Sequence, residues 1–403
     1  MPTVVELTQR LVAAPSHAEV GEEAACAVAH AAMVANGFVD VEIDALGNVT
    51  GRLPGTGACD GLILFDGHID TVGVGNPAAW SSDPYAADVR GSRMYGRGVA
   101  DMKGAIAAMI MGLGRLRDDP AACDVVLSVS IAEELVEGWA LGRVLDRYPA
   151  TAVVIGEATN LHLARAQRGR AEVLIETLGT PAHSSTPHLG HNALKPMAQL
   201  VTLLSGLPMP VDELLGPAIL EVTDIISHPY PALSVIPERC RATFDRRLLV
   251  GETQEDVLGE VQALLDAFMQ DAPEVRATAS IAMDRIDTWA GGLLEAPNMA
   301  PAWRMADNAP IVRAGMRALE HAGLLPMLSH YAFCTNGSES AGRRGIPTIG
   351  FGPGEEAEAH RIDESIEVAH LQAAVDCYEL LARELARISA DYPELDLGGA
   401  TTG

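Results

Sequence analysis

Leu62-Ile63-Leu64-Phe65-Asp66-Gly67-His68-Ile69-Asp70 decides the architecture: an apolar run that reads as a buried strand, followed by a histidine and an aspartate two residues apart. The same pattern returns three times. VVLSVSIA precedes Glu133-Glu134, TAVVI precedes Glu157, and PTIGF lies a few residues before His360. Asp101 instead opens the apolar stretch GAIAAMIMGLGRL, at a helix start. In an open α/β sheet, ligands gather beyond the carboxyl ends of the strands, so residues far apart in sequence are delivered to one place. Two imidazoles and three or four carboxylates converging there carry too much like charge without cations. A pair of divalent metal ions is the economical reading.

Outward from this run, helix and strand patterns alternate. A helix over about 20–36 stops at Gly37, and strands near 39–44 and 48–53 flank the turn Leu46-Gly47-Asn48. Strand 62–66, helix 102–117, strand 124–131, helix 137–147 and strand 151–155 follow. After Glu157 the character changes. Strand 170–179, a Ser/Thr/Pro/His loop, a helix over about 191–206, strands near 232–237 and 239–250, helix 253–270 and a strand around 274–284 spell β-α-β-β-α-β, the ferredoxin-like order. The Pro/Gly/Ala-rich segment 287–307 reads as a connector; then come helix 309–323, strand 346–351 and a long helix near 364–389. The expected fold is α/β: a catalytic domain with a mixed sheet flanked by helices (1–169 and 287–403), interrupted by an inserted ferredoxin-like domain (170–286). The tail LGGATTG is expected to be disordered.

Composition narrows the partners. The formal charge is −26 and the pI is near 4.7, which disfavours nucleic acid and anionic membrane surfaces, because both need clustered Lys/Arg. No stretch approaches the length of a membrane span, and the N-terminus lacks the basic and apolar regions of a signal peptide. The six cysteines are scattered without C-x-x-C spacing, so reduced thiols and a cytoplasmic location are expected.

Each motif has a bland reading alone. His68-x-Asp70 suits a loop histidine satisfied by an aspartate; with metal, Asp70 takes the second ring N–H and fixes the tautomer. Asp101 can be a helix cap or a carboxylate bridging two ions. Glu133-Glu134 can be a solvated turn, or a pair with divided labour in which Glu134 binds metal and Glu133 accepts a proton from water. Successive strand residues point to opposite faces, so both reach one site only if the chain bends. Order and spacing together favour the functional set.

At this point the residues resemble the M20 family of metallopeptidases and amidohydrolases, which includes acetylornithine deacetylase and succinyl-diaminopimelate desuccinylase. Gly67 to Val72, Tyr95-Gly96-Arg97-Gly98 through Asp101-Met102-Lys103-Gly104, Glu133-Glu134, Gly156-Glu157-Ala158-Thr159 and Ala359 to Glu364 carry the likeness. In the inserted domain Gly179 to Pro187, Gly190 to Ala193, Ser234 to Pro237 and Asp245-Arg246-Arg247 continue it. PERCRATFDRRLLVGET and CTNGSESAG look most like the YgeY-type hydrolases linked to selenium metabolism.

The resemblance implies hydrolysis of an amide-type C–N bond in a small N-acyl or N-carbamoyl amino acid, or in a dipeptide. One metal would be held by His68, Asp101 and Glu157, the other by Asp101, Glu134 and His360. Zinc is favoured, with cobalt or manganese able to replace it. Asp70 would orient His68, and Glu133 would be the general base. His183, on a lid and dimerisation domain, would serve the site of a second subunit in a homodimer. Arg247 and Asn192 are candidates for gripping a substrate carboxylate. Where some relatives have Thr-x-Asp-Gly-Arg, this chain reads Thr335-Asn336-Gly337-Ser338 in that region; Asn336 stays a substrate-side candidate, and the missing Arg argues against a doubly acidic substrate. An aminopeptidase of the M28/M42 type uses a similar ligand order, but the inserted domain favours M20. The intact Glu133 argues against a non-catalytic binding relative.

Overall fold

A computed structural model of the chain describes residues 2–391, with side chains through 389; the expected disordered tail lies outside the described residues. The chain divides into two compact units. Within the described residues the first comprises 2–167, Arg285–Glu295 and 303–391. Its mixed sheet runs Val39–Ile43, Val49–Leu53, Asp124–Ser130, Leu62–His68, Ala152–Ile155, Thr348–Gly350, Leu163–Gln167, Trp303–Arg304, with Leu328–Tyr331 also paired to Leu163–Gln167. The four central strands, from Asp124–Ser130 to Thr348–Gly350, are mutually parallel. Their carboxyl ends therefore open on one edge, the edge from which His68, Glu133, Glu134 and Glu157 emerge.

These strands are mostly apolar because both faces are covered. Alternate residues serve opposite layers. Leu64, Val126 and Val153 pack with Leu141, Val144 and Leu145 of helix Trp139–Arg147. Ile63, Phe65, Leu127 and Val154 belong to the larger core with helices Lys103–Leu113 and Val368–Asp391. Each such side chain contributes roughly 1.5–3 kcal/mol of burial. The two helices approach so closely at Gly112 that a Cβ there would collide with the Val375 carbonyl, which explains a glycine inside an otherwise apolar helix.

The second unit comprises Arg168–Asp284 and Ala296–Ala302. Its antiparallel sheet has the order Ile219–His228, Arg239–Leu248, Gly169–Leu178, Arg276–Ile281, with Met299–Ala300 also paired to Gly169–Leu178. Helices Leu194–Leu204 and Gln254–Asp271 bury Met197, Leu200, Val257, Val261 and Leu265 against Val173, Ile175, Ala242 and Phe244. This is the β-α-β-β-α-β arrangement.

Several details depart from the sequence reading. The second strand of this unit is Ile219–His228, not 232–237. Pro231 and Pro237 withdraw donors from that stretch, and Leu233 and Ser234 adopt positive φ, so it stays a loop. The true strand was masked by a bulge between Val222 and Asp224, which breaks its alternation. Gly169–Leu178 is central in this sheet, and the edges are Ile219–His228 and Arg276–Ile281. Segment 287–307 is no plain connector, since Leu293–Pro297, Met299–Ala300 and Trp303–Arg304 are strands. Nor are all six cysteines thiols: Cys59 is disulfide-bonded to Cys123, with Cα atoms 5.2 Å apart, while Cys26, Cys240, Cys334 and Cys377 are buried and outside any disulfide. Among the described residues no helix is long and apolar enough to cross a membrane.

Candidate active site

His68 is the last residue of strand Leu62–His68 and is almost wholly buried. Its Nδ1 lies 3.0 Å from the backbone carbonyl of Asp70. A carbonyl only accepts, so Nδ1 carries a hydrogen, and Nε2 is the ring nitrogen left to meet the carboxylates or a metal ion. That Nε2 faces Asp101 Oδ1 at 3.0 Å and Glu157 Oε1 at 3.2 Å. The other Asp101 oxygen, Oδ2, lies 3.2 Å from His360 Nε2. His360 Nε2 in turn lies 3.1 Å and 3.0 Å from the two oxygens of Glu134. Two triads result, His68–Asp101–Glu157 and Asp101–Glu134–His360, joined by Asp101. Ligand-type atoms of His68, Glu133 and Glu157 also lie within 4.8 Å of one another, which places Glu133 beside the first triad.

The bend needed to aim both glutamates is present. Ala132 has φ 55°, a left-handed conformation that costs a non-glycine residue about 1 kcal/mol or more. The Asp70 carboxylate offsets this by accepting the amides of Glu133 and Glu134 at 3.1 and 3.0 Å. Asp70 thus does two jobs. Its carbonyl takes the closest contact to His68, while its carboxylate, 3.5 Å from Nδ1, mainly anchors the Glu133-Glu134 turn. His360 also has positive φ, at 61°.

Asp101 does not cap the following helix. Helix Lys103–Leu113 has no side-chain cap bond, and the Asp101 carboxylate is turned to the imidazoles. What holds its loop is Glu364, which has no solvent exposure. Glu364 Oε2 accepts Arg97 Nη1 at 2.7 Å and the Gly98 amide at 2.9 Å; Oε1 accepts the amides of Ala100 and Asp101 at 2.8 and 3.1 Å. The sequence reading gave Glu364 no role, although it closes the run that begins at His360.

Charge in this cluster is out of balance. Burial pushes Glu157 up to about 7 and Glu133 well above the usual carboxylate range, and it raises Glu134 as well. Burial also acts to raise Asp101, but His360 and His68 outweigh it and hold Asp101 low. Asp101 and Glu134 lift His360 to about 10. Burial opposes protonation of His68, yet Glu157, Glu133, Asp101 and Asp70 together raise it well above normal. One Glu133 oxygen, Oε1, is buried with no hydrogen-bond partner. Imidazole nitrogens and carboxylate oxygens gathered here, held by extra protons where a divalent cation could replace them, with a bare glutamate oxygen beside them, form a donor set that fits divalent cations.

The remaining candidates lie elsewhere. His183 is exposed in a loop of the second unit; its Nδ1 lies 3.1 Å from the Ser185 amide and 2.7 Å from the Ser185 hydroxyl. Asn192, also in that unit, accepts the Leu194 amide at 2.9 Å. Arg247 forks onto Asp245 at 2.6 and 3.2 Å. Asn336 is buried in the first unit, donating to Asp66 and Ser130 at 2.8 and 2.9 Å and accepting the Gly138 amide at 2.7 Å. Its amide is thus hydrogen-bonded within the protein on both sides.

The chain belongs to the peptidase family M20/M25/M40, whose model matches residues 64–384. It is an amide-bond hydrolase of that family. It is 34% identical to YgeY of Escherichia coli K12 over 353 residues, 85% of this chain and 84% of YgeY. It is 29% identical to succinyl-diaminopimelate desuccinylase of Dinoroseobacter shibae over 406 residues, 95% and 99% of the two chains. Among solved structures the fold is similar to an M20 family metallo-carboxypeptidase of Sulfolobus solfataricus, with TM-score 0.74, 16% identity, and 96% and 100% of the chains covered. It is also similar to YXEP of Bacillus subtilis, described as a dinuclear metal-binding peptidase, with TM-score 0.70, 12% identity, and 95% and 98% covered.

Proposed function

We propose that this enzyme uses two divalent ions, zinc in the first place, to hydrolyse the amide-type bond of a small N-acyl or N-carbamoyl amino acid. Short dipeptides present the same bond and are the second reading. The observation that carries the proposal is the shared Asp101, one oxygen on each imidazole, with the unpartnered Oε1 of Glu133 beside it. His68, Asp101 and Glu157 would hold one ion, and Asp101, Glu134 and His360 the other. Divalent ions in such sites acidify water and polarise a carbonyl. Glu133, buried and raised in basicity, takes the proton of the attacking water as oxygen bonds to the acyl carbon. It then delivers that proton to the leaving nitrogen as the C–N bond breaks, so acid and amine leave in balance. Asp70 keeps His68 in one tautomer and the two glutamates in place.

The second unit is assigned the role of lid and dimer contact. Edge strand Ile219–His228 exposes Ile225 and Ile226, apolar surface that a second copy would cover. His183 of that copy would donate a hydrogen bond to the developing oxyanion. Arg247 and Asn192 are the candidates for the substrate carboxylate.

The test is a hydrolysis screen of zinc-, cobalt- and manganese-loaded protein over N-acyl amino acids, N-carbamoyl amino acids and dipeptides, reading released amine. Turnover in one class identifies the substrate type. No release from any class, with metal content verified, overturns the proposal.

A further inference from the structure

The loop that carries Glu133 and Glu134 runs from the end of strand Asp124–Ser130 to the start of helix Trp139–Arg147. Two asparagines from other segments cross-tie its ends. Asn336 spans the neck: its Nδ2 donates to the Ser130 hydroxyl at 2.9 Å, and its Oδ1 accepts the Gly138 amide at 2.7 Å. Asn48 repeats the arrangement from the turn before strand Val49–Leu53. Its Oδ1 accepts the Ile131 amide at 3.1 Å, and its Nδ2 donates to the Ala140 carbonyl at 3.2 Å and to Asp44 at 2.8 Å. Backbone N–H groups only donate, so Ile131 and Gly138 fix which end of each side-chain amide is oxygen. Asn48 is 0% and Asn336 3% exposed, so water does not compete for these bonds. Ala132, with φ 55°, lies inside the tied span, a conformation that its surroundings must hold. Asp70 grips the middle of the loop through the Glu133 and Glu134 amides, and the asparagines close its neck. A base and a metal ligand work only where their backbone is held to within roughly 0.5 Å.

We propose that Asn336 and Asn48 are positioning residues for the reaction, fixing the neck of this loop so that Glu133 and Glu134 keep their aim. They act through the ends of the loop, not by bonding to either glutamate. The proposal rests on the reading of Glu133 as base and Glu134 as ligand, and it assigns Asn336 to the loop instead of to the substrate.

Residue-resolved amide hydrogen exchange of the metal-free protein tests the ties first. In the unsubstituted protein the amides of Ile131 and Gly138 should exchange at least about 10²-fold slower than free amides. Exchange at the free rate overturns the ties without any substitution. Asn336→Ala and Asn48→Ala, which open the neck independently, should each speed exchange between Ile131 and Gly138 by about tenfold, with strands Ala152–Ile155 and Gly169–Leu178 unchanged. Zinc binding and steady-state kinetics then test the aim. In each variant one of the expected pair of zinc ions should bind about tenfold more weakly. On the substrate that the hydrolysis screen identifies, kcat should fall by about tenfold or more while KM stays within about twofold. Asn36→Ala is the control. It removes another buried amide, which donates to the Ala32 carbonyl at 2.8 Å, and should leave zinc affinity and kcat unchanged. Local loosening with full kcat and both zinc ions tight overturns the positioning role. A change in KM alone does the same, because it marks a direct substrate contact. Equal losses in Asn36→Ala also overturn it, since the effect is then one of general stability. The exchange arm needs neither metal nor turnover. An unsubstituted protein that binds no zinc and hydrolyses none of the screened compounds removes the reading of Glu133 and Glu134, and exchange alone then decides the ties.

Discussion

The carboxylate of Glu364 accepts the backbone amide of Asp101 at 3.1 Å, so a buried acid that faces no imidazole holds the acid that faces two. The same carboxylate receives Arg97, Gly98 and Ala100, which leaves it no spare capacity. Glu364→Gln would put an amide NH₂ against at least one of these donors. The expected outcome is a loss of about 10–100-fold in affinity for both ions, the usual cost of disturbing a ligand's support, measured by equilibrium dialysis. Unchanged affinity for both ions would show that the loop holds its shape unaided.

Asp101 itself predicts a stoichiometry. Because its oxygens face different imidazoles, Asp101→Ala should take tightly bound metal from about two equivalents per chain to none. Metal analysis after gel filtration reads this directly. One tightly retained ion with normal turnover would rule out the bridge.

Glu133 should behave in the opposite way. It lies beside the first triad, yet its Oε1 has no partner. Glu133→Gln should therefore keep its metal while kcat falls by about 10²–10⁴, the usual range for a general base. Loss of metal equal to that of Glu134→Gln would reverse the assignment of the pair.

The second unit makes a prediction through His183, which is exposed and whose ring Nδ1 meets the amide and hydroxyl of Ser185. Inactive His183→Ala and inactive Glu133→Gln proteins should regain activity when co-refolded, since each heterodimer then contains one site with both groups intact. Recovery of up to about a quarter of normal specific activity is expected from random pairing of equal amounts. Verified heterodimers that stay inactive would confine His183 to its own chain.

The sequence reading succeeded where periodicity and strand direction act together. Leu62–His68, Asp124–Ser130, Ala152–Ile155 and Thr348–Gly350 are mostly buried and parallel, so a mainly apolar run marked each of them. Their common edge gathers His68, Glu133, Glu134 and Glu157. The reading failed where a partner far along the chain decides the outcome. Nothing local shows that Glu364 reaches back to Gly98 and Asp101, or that Asp70 serves His68 through its carbonyl and Glu133 through its carboxylate. Nor does anything local show that Asn336 bonds to Asp66, Ser130 and Gly138. Cys59 and Cys123 are 64 residues apart and meet only because the fold places them together.

Glu22 ties stability to pH. It is 8% exposed, and burial, with Asp70 adding to it, pushes the carboxyl up from 4.5 to about 7. A raised acid holds its proton to higher pH in the folded state than in the unfolded state. Folding is therefore free of this penalty below about pH 4.5, loses stability as pH rises from there to about 7, and carries the full cost above. The metal-free protein should be destabilised by up to about 3 kcal/mol at pH 8 on this account. Glu22→Gln removes the ionisable group while keeping a similar shape. Its stability relative to the unsubstituted protein should be near zero or slightly negative at pH 4.5 and should improve steadily to pH 8, by about 1–3 kcal/mol. Urea denaturation of both metal-free proteins at half-unit pH steps measures the difference. A difference that does not change with pH would mean that Glu22 keeps an ordinary carboxylate pKa.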